Sequence, residues 1–166
     1  ILEQMRRGYT NNEYRNLIEK IRTRIPGVSL STDLIVGFCG ESDKQFENTL
    51  KMIKDVKFDK IHSAAYSDRP GTIAHRKMLD DVPEDVKKER LKIINSEQEN
   101  IATELNGKYK GRTEEVLVED TKKGRWFGRN RNDKLVFFDS KDTTAGEVVT
   151  ITIEQTSPWF LEGTKA

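Results

Sequence analysis

The segment Lys122-Lys123-Gly124-Arg125-Trp126-Phe127-Gly128-Arg129-Asn130-Arg131 sets basic side chains among aromatic ones. Lysine and arginine neutralise phosphates and release condensed counterions, and a flat aromatic ring offers a stacking face to an unpaired base. That combination is the chemistry of a nucleic-acid grip. Its candidate contacts are Lys122, Lys123, Arg125, Trp126, Phe127, Arg129 and Arg131. The same residues also fit a solvated hairpin in which Trp126 or Phe127 fills a core. Strand alternation sends one of these two neighbouring rings inward. The charge is local: Lys122, Lys123, Arg125, Arg129, Arg131 and Lys134 stand against a single acid, Asp133, whereas the whole chain nets +1.

Other chemistry-bearing residues are sparse. Cys39 is the only cysteine, and His62 and His75 are the only histidines. One thiol makes neither an internal disulfide nor a multi-thiolate metal site. Cys39, in a strand-to-helix turn, reads as an inert small residue; His62 reads as packed in mid-strand. His75 falls in a surface loop with Arg76 and Lys77. Thr32, Asp33 and Gly37 lie along an apolar run or at its end, where parallel α/β folds gather ligands. The bland alternative for them is a strand exit whose glycines only satisfy turn geometry. Arg69, in the loop Asp68-Arg69-Pro70-Gly71-Thr72, suits a bidentate carboxylate or phosphate contact, or is a solvated turn residue. Arg6 and Arg7 read as solvated ahead of the first helix.

The elements that must position these residues change period part-way along the chain. Thr10-Asn11-Asn12-Glu13 is a capping box, followed by Tyr14, Leu17, Ile18, Ile21 and Ile25 at helical spacing and stopped by Pro26-Gly27. Val28 to Phe38 is β-branched and apolar, which predicts a strand buried on both faces of a parallel sheet. Ser42-Asp43-Lys44-Gln45 is a second capping box, ahead of a stripe of Phe46, Leu50, Ile53 and Val56. Lys60 to Tyr66 reads as the next strand, completing a βαβ unit. Pro83-Glu84-Asp85 opens a long charged helix to about Leu105, with Leu91, Ile94, Ile101 and Leu105 on one stripe that Gln98 interrupts.

After Asn106-Gly107 the pattern becomes that of short strands: Thr113–Glu119, Lys134–Phe138 and Glu147–Ile153. Turns fall at Lys123-Gly124, Asn132-Asp133 and Ala145-Gly146. The expected fold class is α/β followed by all-β, with residues 1–107 as one domain and 108–166 as a β-domain of four or five strands. Two parallel strands with three helices are too few to close a doubly wound sheet or a (βα) barrel. Beginning at Ile1 rather than methionine, the chain is expected to be a piece of a longer protein. Hydrophobic and charged residues each make up 34%, no apolar run is long enough for a membrane span, and a lone thiol suits a reducing, cytoplasmic setting.

Several segments, in order, resemble the radical S-adenosylmethionine tRNA methylthiotransferase family. They are Met5-Arg6-Arg7-Gly8-Tyr9-Thr10, Ser31-Thr32-Asp33-Leu34-Ile35-Val36-Gly37-Phe38, Gly40-Glu41, Tyr66-Ser67-Asp68-Arg69-Pro70-Gly71-Thr72, and Asp80-Asp81-Val82-Pro83-Glu84 with Lys87 and Arg90-Leu91. The family's usual pattern has proline where Cys39 stands. The resemblance implies that residues 1–107 are the C-terminal part of a TIM-like radical-SAM (βα) barrel. It implies that residues 108–166 are an OB-like TRAM domain, with Ser157-Pro158-Trp159-Phe160-Leu161 as its closing strand.

For the parent enzyme the resemblance implies transfer of a methylthio group to the isopentenyl-type adenosine beside the anticodon. The cofactors would be S-adenosylmethionine and two [4Fe-4S] clusters, with the chemistry carried by the cofactors. Thr32, Asp33, Gly37 and Arg69 would belong to the S-adenosylmethionine site. The partners would be the tRNA anticodon stem-loop and the N-terminal part of the same enzyme. The CxxxCxxC motif that holds a cluster is not among these residues, so the chain alone is expected to hold no cofactor, to bind tRNA weakly and to catalyse nothing. The alternatives are a stand-alone RNA-binding module on a helical platform, or a small-molecule α/β enzyme with an appended β-domain. No Ser/His/Asp or paired-carboxylate constellation supports the last.

Overall fold

The computed structural model describes all residues, 1–166. The chain divides into two compact units, Ile1–Gln98 and Glu99–Ala166.

In the first unit the order is α1 (Asn11–Arg24), β1 (Ser31–Val36), α2 (Asp43–Val56), β2 (Lys60–Ala65) and α3 (Ile73–Lys77), then the start of α4 (Glu84–Gly107). Both capping boxes form. Thr10 accepts from the Glu13 backbone while Glu13 reaches back, and Ser42 and Gln45 do the same for α2. β1 and β2 pair in parallel, Asp33 opposite His62 and Ile35 opposite Ala64. Side chains alternate, so Thr32, Leu34 and Val36 share a face with Ile61, Ser63 and Ala65. That face turns to the helices: Val36 and Ile61 are buried, and Ser63 Oγ donates to Asn95 of α4 at 2.6 Å. The core beneath holds Ile18, Ile53, Val56, Phe58 and Ile94.

The opposite face is open. Ser31, Asp33 and Ile35 of β1 and Lys60, His62 and Ala64 of β2 are all exposed. This corrects two expectations. The strand is shorter than Val28–Phe38 and is not buried on both faces, because each strand has one neighbour and nothing covers the second face. His62 is exposed rather than packed, since it shares that face with Asp33. A third correction concerns His75. It sits in the short helix α3, capped by Thr72, and bonds Asp68 through Nδ1 at 2.6 Å.

The second unit continues α4 and adds β3 (Thr113–Lys122), β4 (Arg125–Asn130), β5 (Leu135–Asp139), β6 (Val148–Thr156) and β7 (Leu161–Lys165). The strands close a barrel in the order β3-β4-β5-β7-β6, with β6 returning to β3. β5 and β7 run parallel and the other pairs are antiparallel. This is the connectivity of a five-stranded barrel of the oligonucleotide-binding kind. Bulges after Val118 and Ile153 give β3 and β6 their curvature. Val116, Val118, Val136, Phe138, Val149, Ile151, Ile153 and Leu161 fill the interior. Each fully buried aliphatic or phenyl side chain contributes about 1.5–3 kcal/mol. Residues 157–160 form the turn before β7 rather than part of a closing strand, because Ser157 bonds back to Phe160.

Candidate nucleic-acid interface

β3 and β4 meet at the two-residue turn Lys123-Gly124, both residues at positive φ, with Lys122 opposite Arg125. This is the primed-type hairpin turn whose twist matches the strands. It leaves Lys122 and Lys123 exposed and without an ion pair. From the turn, β4 alternates. Trp126, Gly128 and Asn130 turn inward, whereas Arg125, Phe127 and Arg129 turn outward.

Of the two neighbouring rings, Trp126 is therefore the inner one. It packs against the barrel core, and its Nε1 donates to the Ser140 carbonyl at 3.2 Å. Phe127 lies on the outer surface, 5.9 Å from Phe137 of β5, and Phe137 lies edge-on to Phe160 at 5.5 Å. The Arg125 guanidinium lies over the Phe137 ring at 6.0 Å. A row of three half-exposed aromatics thus crosses β4, β5 and the turn before β7.

The arginines are less free than their spacing in the chain suggests. Arg125 pairs with Asp139 and Glu162, Arg129 with Glu119 and Asp133, and Arg131 with Glu115. Four of these carboxylates lie on other strands, Glu115 and Glu119 on β3, Asp139 on β5 and Glu162 on β7, and the folding of the barrel brings them to the arginines. Such exposed pairs contribute little to stability, but they compensate the charge an approaching phosphate would meet. Lys122 and Lys123 carry the uncompensated charge of the hairpin.

In the first unit, Thr32 and Asp33 line a cleft of about 730 Å³ with Tyr9, Tyr14, Gln45 and Met52. Gly37 and Arg69 lie outside that lining. Arg69 is exposed in the loop after β2 and makes no ion pair. Gly37, at φ +70°, gives its N–H to Glu41 at 2.6 Å, and a Cβ there would run into the Lys87 stem.

Gly37 belongs to a cluster that spacing did not single out. Arg90 of α4 holds Glu41 at 2.8 Å and Asp43 at 2.7 Å. One turn earlier, Lys87 holds Asp80 at 2.7 Å and Glu84 at 2.9 Å, with its side chain 1% exposed. Burial pushes the Lys87 pKa down, but the hydrogen bonds and charges of Asp80 and Glu84 outweigh it, and the net direction is up. A raised lysine pKa adds stability that is complete below the unfolded value and lost as pH climbs through the folded one. The cluster is therefore intact at neutral pH and loosens only in strong alkali. Tyr66, whose ring lies 5.5 Å from Lys87 Nζ, has its pKa raised to about 12 by burial, then by its hydrogen bond with Cys39 and the Asp68 and Asp80 charges. Both cations sit in the run Asp80–Leu91, which was legible as a motif but not as a contact.

Residues 107–166 match the TRAM domain. Over 98% of its length the chain is 49% identical to the tRNA-2-methylthio-N(6)-dimethylallyladenosine synthase of Herpetosiphon aurantiacus, covering 38% of that protein. The enzyme of the same description from Dehalococcoides mccartyi is 48% identical over 98% of the chain and 39% of its own length, and that from Aquifex aeolicus 40% over 98% and 37%. Over almost its whole length the chain is thus similar to tRNA methylthiotransferases. It matches the C-terminal part of these relatives and spans about two fifths of the first one's length, 38%. The basic hairpin, the aromatic row and the closed barrel all fall inside the TRAM domain. No helix of the chain is long and apolar enough to cross a membrane.

Proposed function

We propose that the chain is the C-terminal part of a tRNA methylthiotransferase. Residues 1–107 supply the last strands of its radical-SAM barrel, and residues 108–166 grip the anticodon stem-loop of tRNA. The whole enzyme adds a methylthio group to the isopentenyl-type adenosine beside the anticodon, in the cytoplasm. The observation that carries this reading is identity of 40–49% across almost the whole chain to proteins named for that reaction. The open face of the β1–β2 sheet supports it, since a parallel sheet with helices on one face alone is what a barrel wall looks like when its remaining strands are supplied from elsewhere.

The family implies S-adenosylmethionine and two [4Fe-4S] clusters. The clusters do not fit the residues of this chain: Cys39 is its one thiol and is buried, and no three metal-binding side chains come together. Their ligands belong to the N-terminal part of the enzyme. S-adenosylmethionine fits better, against Thr32 and Asp33 in a cleft of about 730 Å³, a size suited to a nucleoside-bearing ligand. Gly37 would shape the strand exit, and Arg69 would reach in from the loop after β2.

The direct test is a chimera in which this chain replaces the matching C-terminal part of the Herpetosiphon aurantiacus relative. The expected result is methylthiolated tRNA. A chimera that folds and holds both clusters but leaves tRNA unmodified would sink the assignment. The RNA grip is tested separately, on the chain itself, by tRNA affinity over a salt series. Lys122→Ala with Lys123→Ala should lower the log–log salt slope by about 1–2. Substitution of the carboxylate-paired Arg129 should lower it less. A slope unchanged by the lysine pair would move the grip off this hairpin.

A further inference from the structure

The turn between β6 and β7 holds an aromatic side chain that its surroundings do not explain. Trp159 is 59% exposed, although a tryptophan in water forgoes a large part of its burial energy. The turn beneath it is not loose. Ser157 Oγ accepts from the backbone N–H of Trp159 at 3.2 Å and of Phe160 at 3.0 Å. The Ser157 N–H donates to the Phe160 carbonyl at 2.9 Å. From behind, the buried Asn106 donates through Nδ2 to the carbonyls of Ser157 and Pro158, at 2.8 and 3.1 Å. The backbone that carries Trp159 is thus fixed at both ends while its ring is left in water.

We propose that Trp159 is a preformed stacking platform for an unpaired RNA base. This rests on the RNA-grip reading of the barrel and deepens it from charge to shape. Three features favour an unpaired base as the occupant. The next residue, Phe160, begins the row that passes through Phe137 to Phe127, with Arg125 over Phe137. The segment from Gln155 to Leu161 carries no charged side chain, so nothing on it repels a phosphate. A rigid ring in water pays little ordering entropy when a base stacks on it, and such stacking tolerates any base. The platform therefore selects single-stranded RNA over duplex without selecting a sequence.

The chain has two tryptophans, Trp126 and Trp159. Trp126→Phe leaves Trp159 as the only indole, and its emission reads the platform directly. In the free variant the indole should be open to acrylamide. A single-stranded RNA oligonucleotide should quench its emission and shield it. A fully paired RNA duplex of the same length should do neither. In the parent chain, Trp159→Ala should weaken oligonucleotide binding about tenfold while leaving the salt slope unchanged. Trp159→Phe should recover most of the loss. Because the side chain is exposed, both variants should melt as the parent does, which separates a binding defect from a folding one. Binding that leaves the Trp159 signal unaltered, equal quenching by duplex, or an indole already shielded in the free chain would each overturn the platform, with the RNA grip left standing. Failure to bind any RNA at low salt would overturn both.

Discussion

Gly128→Ala should cost the barrel about 3 kcal/mol, a large share of the few kcal/mol that keep a unit of this size folded. Gly128 is an inward position of β4, paired with Val118 of β3 beside the bulge. A Cβ there would lie far inside contact distance of the Leu117 carbonyl oxygen and 2.9 Å from Val116 Cγ1. The carbonyl is backbone held in the ladder, so it cannot swing away as a side-chain tip could. Gly163 repeats the arrangement on β7, against the Thr152 carbonyl and 2.8 Å from Ile151 Cγ2. The two glycines are what let five short strands coil tightly enough to close, as small barrels require at their corners. Gly107→Ala is the control, because a Cβ there meets nothing within 4 Å. The measurement is the denaturant midpoint of the barrel followed by its far-ultraviolet signal. A Gly128→Ala midpoint equal to that of the control would show that β3 and β4 are not as close as the barrel geometry requires.

Local pattern reached some features of this molecule and not others, and the dividing line is physical. Both capping boxes, the two-residue turn at Lys123-Gly124 and the alternation of β4 are set by neighbours in sequence, and each is present. That one of Trp126 and Phe127 must turn inward followed from alternation. Which one did not, because it depends on where the barrel axis lies. The arginine patch shows the same limit. Counting charges along residues 122–134 finds one acid, but closing the barrel brings Glu115, Glu119, Asp139 and Glu162 against the three arginines. The five residues of the short helix α3 are too few to show a period. The open face of β1 and β2 is not legible because an apolar run reads as doubly buried whether or not anything in the chain covers its second face. The three resembling segments around Gly37, Glu41 and Asp80–Leu91 were legible only as a recurring order of residues. Their reason for recurring is that they meet in space.

That meeting point carries the second large effect. Arg90→Ala should destabilise residues 1–98 by about 3–5 kcal/mol. Arg90 and Glu41 are 5% and 6% exposed, and the guanidinium satisfies both the Glu41 carboxylate at 2.8 Å and the Glu41 carbonyl at 3.1 Å. Its second nitrogen reaches Asp43 at the start of α2, and its face covers the Phe46 ring at 5.3 Å. Removing it strands a buried carboxylate whose remaining partner is the Gly37 N–H. The exposed Asp43 contributes little to the loss, since its charge stays solvated. Arg90→Lys should recover only part of it, because one ammonium cannot span Glu41 and Asp43 as a planar fork does. The informative variant is the double substitution Arg90→Met with Glu41→Gln. With no charge left to strand, it should be more stable than Arg90→Met alone, and the cycle closed by Arg90→Met and Glu41→Gln measures the coupling. Additive effects would mean that Arg90 acts through its packing on Phe46 rather than through Glu41. Coupling of several kcal/mol would mean that α4, through Arg90, holds the exit of β1 in place, which is where an α/β barrel positions what it binds.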